Sequence, residues 1–159
     1  MRLTDAKSQQ GERFMQEHPY RVLIIDSDNN SLATYQNYLT QQGFEVDTAQ
    51  DGIEGIEKLR KDEPDVALVE IKLPKMSGIE IIRLVNEEEL DTEIIVLTEH
   101  GNKEDAVTVL NLGVGAWFEK IGIDMAQLLN RVKELCQVIP PELMRRYLSA
   151  IPDYRLSVK

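Results

Sequence analysis

Val66-Ala67-Leu68-Val69-Glu70-Ile71-Lys72-Leu73-Pro74-Lys75-Met76-Ser77-Gly78 is the stretch on which the fold of this chain turns. Residues 65–71 read as a strand, apolar enough to be buried on both faces, that delivers one acid, Glu70, at its carboxyl end. Leu73-Pro74 and Ser77-Gly78 then turn the chain into a helical pattern. A buried strand of this kind belongs in a parallel sheet covered by helices, where chemistry gathers at the carboxyl ends of strands.

On either side the same alternation repeats. Upstream, Arg21-Val22-Leu23-Ile24-Ile25 is a first central strand that ends at Asp26. Asn29 and Asn30 are read as the cap of a helix that aligns Leu32, Tyr35 and Leu39 and stops at Gly43, a residue suited to a left-handed position. Residues 44–49 alternate as an edge strand. A second helix follows Asp51, with Ile53, Ile56 and Leu59 facing inward, and ends before Pro64. Downstream, Ser77 opens a third helix with Ile79, Ile82 and Leu84 or Val85 toward the core, and Glu87-Glu88-Glu89 makes a solvated turn at its end. Residues 93–98 form a fourth strand and 102–112 a fourth helix, closed by Gly113 and Gly115. Residues 116–119 form a short fifth strand. Asp124 caps a last helix on which Met125, Leu128, Leu129, Val132, Leu135, Cys136 and Ile139 keep helical spacing.

The bulk composition narrows the function. With 159 residues and a formal charge of -10, the chain suits one domain with tails and repels phosphate backbones and anionic headgroups. Nucleic acid and membrane are therefore not expected as partners. No apolar run approaches the ~20 residues of a membrane span, and the polar opening lacks a signal-peptide core, so a cytoplasmic location is expected. The single cysteine, Cys136, falls on an apolar stripe and reads as a core thiol. The expected organisation is a tail over 1–19, a domain over 20–138 and a C-terminal extension over 139–159. In that extension Pro140-Pro141 breaks the last helix, and residues 142–150 suit a short helix with Pro141 at its first position. His18 and His100 read as solvated residues.

The strand ends bring a particular set of groups together: Asp26, Ser27 and Asp28 after strand one, Glu70 after strand three, Thr98 after strand four, Lys120 after strand five. Carboxylates suit a divalent cation, while Thr and Lys suit phosphoryl oxygens, so this is the donor set of an anion site built around a metal.

Leu23-Ile24-Ile25-Asp26, the run Leu73 to Glu80, Ile94-Ile95-Val96-Leu97-Thr98, and Leu112-Gly113 through Lys120 together resemble a bacterial response-regulator receiver domain, similar to the chemotaxis regulator. The resemblance implies a flavodoxin-like, doubly wound, five-stranded parallel sheet of order 2-1-3-4-5 with helices on both faces. It also implies two-component signalling or phosphorelay, with no enzymatic activity. By position, Thr98 and Lys120 match the phosphoryl-binding hydroxyl and amine, Asp26 the first metal-binding acid, and Trp117 the switch aromatic. The departures are Glu70 at the phosphoacceptor aspartate, Ser27 at the second acid and Ile121 at the proline after the lysine. Asp26 and Glu70 would hold Mg²⁺ weakly or not at all, because octahedral Mg²⁺ loses a ligand and a charge with Ser27, unless Asp28 compensates. No other cofactor is expected.

The extra methylene of Glu70 moves its oxygens by roughly 1.5 Å, and misplacement of about 1 Å can cost about 100-fold in rate. Efficient phosphorylation is not expected. Two readings of Glu70 stay open: a structural ion pair with Lys120, or a carboxylate that reaches the phosphoryl position, engages Thr98 or Lys120 and holds the domain near an activated shape. The expected function is a pseudo-receiver acting by protein–protein interaction with a histidine kinase or downstream effector through helix four, strand five and helix five, or as a homodimer. The alternative is an Mg²⁺-dependent regulator phosphorylated at Asp26 or Asp28. A third class, an enzyme or flavin carrier on the same fold, finds no glycine in the turn from Asp26 to Ser31 and no nucleophile–base pair.

Overall fold

A computed structural model of the chain describes residues 19–99, 101–137, 145–146 and 148–150. The tail with His18, and also His100, Ile139 and Pro140-Pro141, lie outside these residues. Of the expected C-terminal helix, Arg145, Arg146 and Leu148 are described and are helical.

Among the described residues up to 137, five strands alternate with five helices: β1 (Arg21–Ile25), α1 (Asn29–Gln41), β2 (Glu45–Ala49), α2 (Gly52–Asp62), β3 (Val66–Val69), α3 (Gly78–Glu87), β4 (Glu93–Thr98), α4 (Lys103–Asn111), β5 (Ala116–Glu119) and α5 (Met125–Cys136). The sheet is parallel throughout, in the order β2-β1-β3-β4-β5. This is the flavodoxin-like arrangement. The central strands are apolar at consecutive positions because each face meets a helical layer. Leu23, Ile25, Ala67, Val69, Ile94 and Val96 point to α2, α3 and α4, where Ile56, Leu59, Ile81, Ile82, Val85 and Val109 meet them. Val22, Ile24, Val66, Leu68, Ile95 and Leu97 point to α1 and α5, onto Leu32, Tyr35, Leu39, Leu128 and Val132.

Each helix is opened by a side chain that takes an otherwise orphaned N–H, a contribution of about 1 kcal/mol per cap. The caps are Asp28, Asp51, Ser77, Asn102 and Asp124, and Ser77 with Glu80 forms a reciprocal capping box. The cap of α1 is therefore Asp28 rather than Asn29 or Asn30. Ile53, read as an inward residue of α2, is 38% exposed, and Gly52 and Gly55 are buried in its neighbourhood. The helix lies close enough to the sheet that a Cβ at Gly55 would press on Ile25. The third strand ends at Val69, one residue before Glu70. In α3 the buried apolar residues are Ile81, Ile82 and Val85, with Ile79 and Leu84 only partly covered. Glu87, Glu88 and Glu89 are exposed, and Glu88 is not merely solvated: Arg60 Nε donates to both of its carboxylate oxygens at 2.9 and 3.1 Å. Gly43 and Gly113, with φ of 96° and 82°, follow α1 and α4 in the left-handed region. Among the described residues no helix is long and apolar enough to cross a membrane.

Candidate functional site

The chain runs from β1 to β2 on one side and from β3 outward on the other, so the order reverses between β1 and β3. A crevice at the carboxyl ends of these strands is where such sheets place ligands. One further ladder bond fixes each functional residue there. The Asp26 N–H donates to Ala49 O and the Glu70 N–H to Ile25 O, both at 3.0 Å, and the Lys120 N–H donates to Thr98 O at 2.8 Å. Asp26 and Glu70 are thereby set side by side, and Lys120 is swung over them from the edge strand β5.

The side chains close into one network. Lys120 Nζ donates to Asp26 Oδ2 at 2.5 Å and lies 3.1 Å from Glu70 Oε2. Thr98 Oγ1 donates to Glu70 Oε1 at 2.6 Å. Backbone N–H groups complete the shell around Glu70: Ile71 at 2.8 Å on Oε1 and Glu99 at 3.0 Å on Oε2. The Asp28 N–H donates to Asp26 Oδ1 at 2.9 Å. Asp26, Glu70 and Thr98 are buried, which makes these partners obligatory, since an unpaired buried carboxylate costs several kcal/mol.

The electrostatics follow from one ammonium serving two carboxylates. Burial raises the Asp26 carboxyl above the ordinary value, and the hydrogen bonds from Lys120 and Asp28 only partly offset it. Burial also works against charge on Lys120, yet its hydrogen bonds and attraction to Asp26 and Glu70 outweigh this and hold the ammonium above its usual pKa. On Asp26 alone the lysine would act to lower the pKa. The raised direction is the one the geometry supports, because a single amine is shared between two nearly solvent-free acids.

The match to a response-regulator receiver domain model extends over residues 22–133. The chain belongs to the response-regulator receiver family. It is 31% identical over 115 residues to the transcriptional regulatory protein PrrA of Mycobacterium tuberculosis, covering 72% of this chain and 49% of that protein. It is 27% identical over 124 residues to the response regulator MprA of Mycobacterium sp. (strain KMS), covering 78% of this chain and 54% of the relative. The chain thus spans about half the length of the curated relatives it matches. Among solved structures, a CheY-like receiver domain from Methanospirillum hungatei superposes with a TM-score of 0.70 at 30% identity, covering 75% of this chain and 94% of that one. A signal receiver domain from Vibrio parahaemolyticus gives 0.71 at 23% identity, covering 76% and 92%, a likeness of fold. Receiver domains are signalling modules that interact with kinases or effectors.

Of the receiver positions read from the sequence, Asp26, Glu70, Thr98 and Lys120 meet in one cluster. Ser27 is exposed. The Asp28 carboxylate is turned away to cap α1, accepting from the Asn30 N–H at 2.9 Å and from Ser31 Oγ at 3.3 Å. The donor set does not fit an octahedral dication: all four oxygens of Asp26 and Glu70 already accept from protein donors, and among the described residues no three His, Cys, Asp or Glu side chains converge. The backbone donors of Ile71 and Glu99 carry no sequence signature, because every non-proline residue has an N–H.

Trp117 is half-buried on β5 and packs against the α2–α3–α4 side of the core. A surface groove of about 590 Å³ lies elsewhere, at the β1–β2 edge, lined by Arg21, Glu45, Asp47, Lys58 and Asp62. Several of its charges are satisfied within it: Arg21 Nη2 donates to Asp62 O at 2.7 Å, and Lys58 pairs with Asp47 at 3.1 Å. It offers nothing like the convergence at the strand ends.

Proposed function

We propose that this chain is a receiver domain of pseudo-receiver type, in which Glu70 permanently occupies the place of a phosphorylated aspartate and output passes through protein–protein contact. The carrying observation is the Thr98 hydroxyl at 2.6 Å from Glu70 Oε1 with Lys120 at 3.1 Å from Oε2. These are the donors a phosphoryl group would need, and the longer carboxylate has taken them. In-line attack by Glu70 on a phosphodonor would require it to give up this shell, without a second metal-binding acid at Ser27 to help. Mg²⁺ binding is correspondingly weak. Phosphorylation at Asp26 or Asp28 is disfavoured by the same geometry, since Asp26 is committed to Lys120 and Asp28 to the α1 cap.

The proposed partner face is formed by α4, β5 and α5. Val107 and Leu110, one turn apart on α4, are 51% and 58% exposed, an apolar pair with no structural need to face water. A histidine kinase, a downstream effector or a second copy would dock there, and the charge of -10 disfavours nucleic acid or membrane.

Incubation with acetyl phosphate and Mg²⁺, followed by intact-mass measurement, tests the reading. No phosphoryl adduct is expected on the native chain, whereas Ser27→Asp combined with Glu70→Asp restores a hydroxylamine-labile adduct. Substantial labelling of the unaltered protein would overturn the proposal.

A further inference from the structure

Gly101 precedes the N-cap of α4 and is half-buried. Its φ lies outside the left-handed region, unlike those of Gly43, Gly113 and Gly122, so its backbone conformation alone does not demand glycine. Space does. A Cβ at this position would overlap Cζ2 of Trp117, lie 3.1 Å from Cε2 of the same indole and 3.0 Å from the Thr98 methyl. Nothing larger than a hydrogen fits between them.

Three groups therefore meet at one point. Thr98 contributes its methyl there while its hydroxyl holds Glu70 at 2.6 Å. Trp117 comes from β5, where it stands in register with Val96. Gly101 comes from the loop between β4 and α4. Because β5 is an edge strand, solvent is open to an indole that cannot enter this seat.

We infer that Gly101 is a positioning residue for Trp117: its missing side chain is the notch that seats the indole against the β4–α4 loop beside Thr98, so the size of residue 101 sets where the aromatic lies on the α4–β5 face. The consequence for a partner rests on the function proposed above. The seating of the indole does not.

The chain contains one tryptophan, so its emission reports this seat directly. Gly101→Ala, Trp117→Phe and the double variant are compared with the native chain by fluorescence and by urea unfolding followed by far-ultraviolet circular dichroism. Gly101→Ala is expected to red-shift Trp117 emission, to raise acrylamide quenching about twofold, and to lower the folding equilibrium constant by on the order of 10- to 100-fold, as overpacking does. In the Trp117→Phe background the same alanine should change that constant by less than about threefold, because phenylalanine lacks the outer ring of the indole. Unchanged emission and quenching, or an equal loss in both backgrounds, would overturn the inference. If Gly101→Ala alone fails to fold, the double variant decides: a folded double supports the notch and an unfolded one refutes it. Phosphodonor labelling does not depend on residue 101, so a labelled Glu70 beside a seated indole would remove the proposed function and leave the notch standing.

Discussion

Replacing Lys120 by methionine removes the one cation from the buried cluster while keeping an unbranched apolar stem. Asp26 and Glu70, with side chains only 4% and 7% exposed, would then face each other without the ammonium at 2.5 and 3.1 Å. Stranding buried charge in this way costs ~3–5 kcal/mol. For a domain of this size each kcal/mol shifts the midpoint by about 4 °C, so a fall in Tm of ~12–20 °C is expected at pH 7. The pH dependence supplies the sharper signature. In the native chain the ammonium pKa is raised, so the contribution of Lys120 is fully present below about 10.4, the unfolded value, and is lost as pH rises through the folded one. Asp26 is raised as well, so its ionisation already detracts from stability as pH climbs through its elevated value, an effect its partners partly offset. Without the lysine most of that offset is lost and protonation of Asp26 favours the folded state. The variant should therefore regain stability as pH falls from 7 to 5, by up to about 1.4 kcal/mol per pH unit for each proton taken up. Urea unfolding of both proteins at pH 5, 6 and 7, followed by circular dichroism, measures this. A cost below ~1 kcal/mol at pH 7, or parallel pH profiles, would refute the assignment of Lys120 as the neutralising group.

Trp117 emission should be unchanged by Mg²⁺ and beryllofluoride, since Glu70 already holds the Thr98 hydroxyl and the indole is seated at Gly101; a clear ligand-induced shift would favour a phosphate-responsive receiver. Cys136, whose thiol burial and then the nearby Asp65 push up to about 12, should react with a thiol reagent at pH 8 at least about 100-fold more slowly than free cysteine, read from the absorbance of the released chromophore. A rate close to that of the free amino acid would show the thiol to be exposed.

Much of this protein was legible before any coordinates, for local reasons. The apolar runs Val22–Ile25 and Val66–Val69 announce strands buried on both faces, and Asp51, Ser77, Asn102 and Asp124 announce helix starts, because strand period and capping depend on neighbours a few residues away. The identities at the strand ends singled out Asp26, Glu70, Thr98 and Lys120, and the departure at residue 70 needs only the sequence to be seen. Where local chemistry offered two choices, the sequence reading could miss: Asp28 takes the α1 cap that either asparagine might have filled, and Ile53 is exposed where Gly52 packs α2 on the backbone at Met76 and Gly55 packs it on Ile25 of the sheet.

What only the tertiary structure decided is which partners those side chains choose. Lys120 meets Asp26 across 94 residues of chain, and the Glu99 N–H reaches Glu70 across 29, contacts that exist because parallel register sets the ends of β1, β3, β4 and β5 together. The Gly101 notch is of the same kind: a residue type that permits almost any turn becomes a specific seat only when an indole from another strand is brought against it. Sequence carries periodicity and residue chemistry, whereas contact between distant groups depends on distances of a few ångströms that the packed sheet alone imposes.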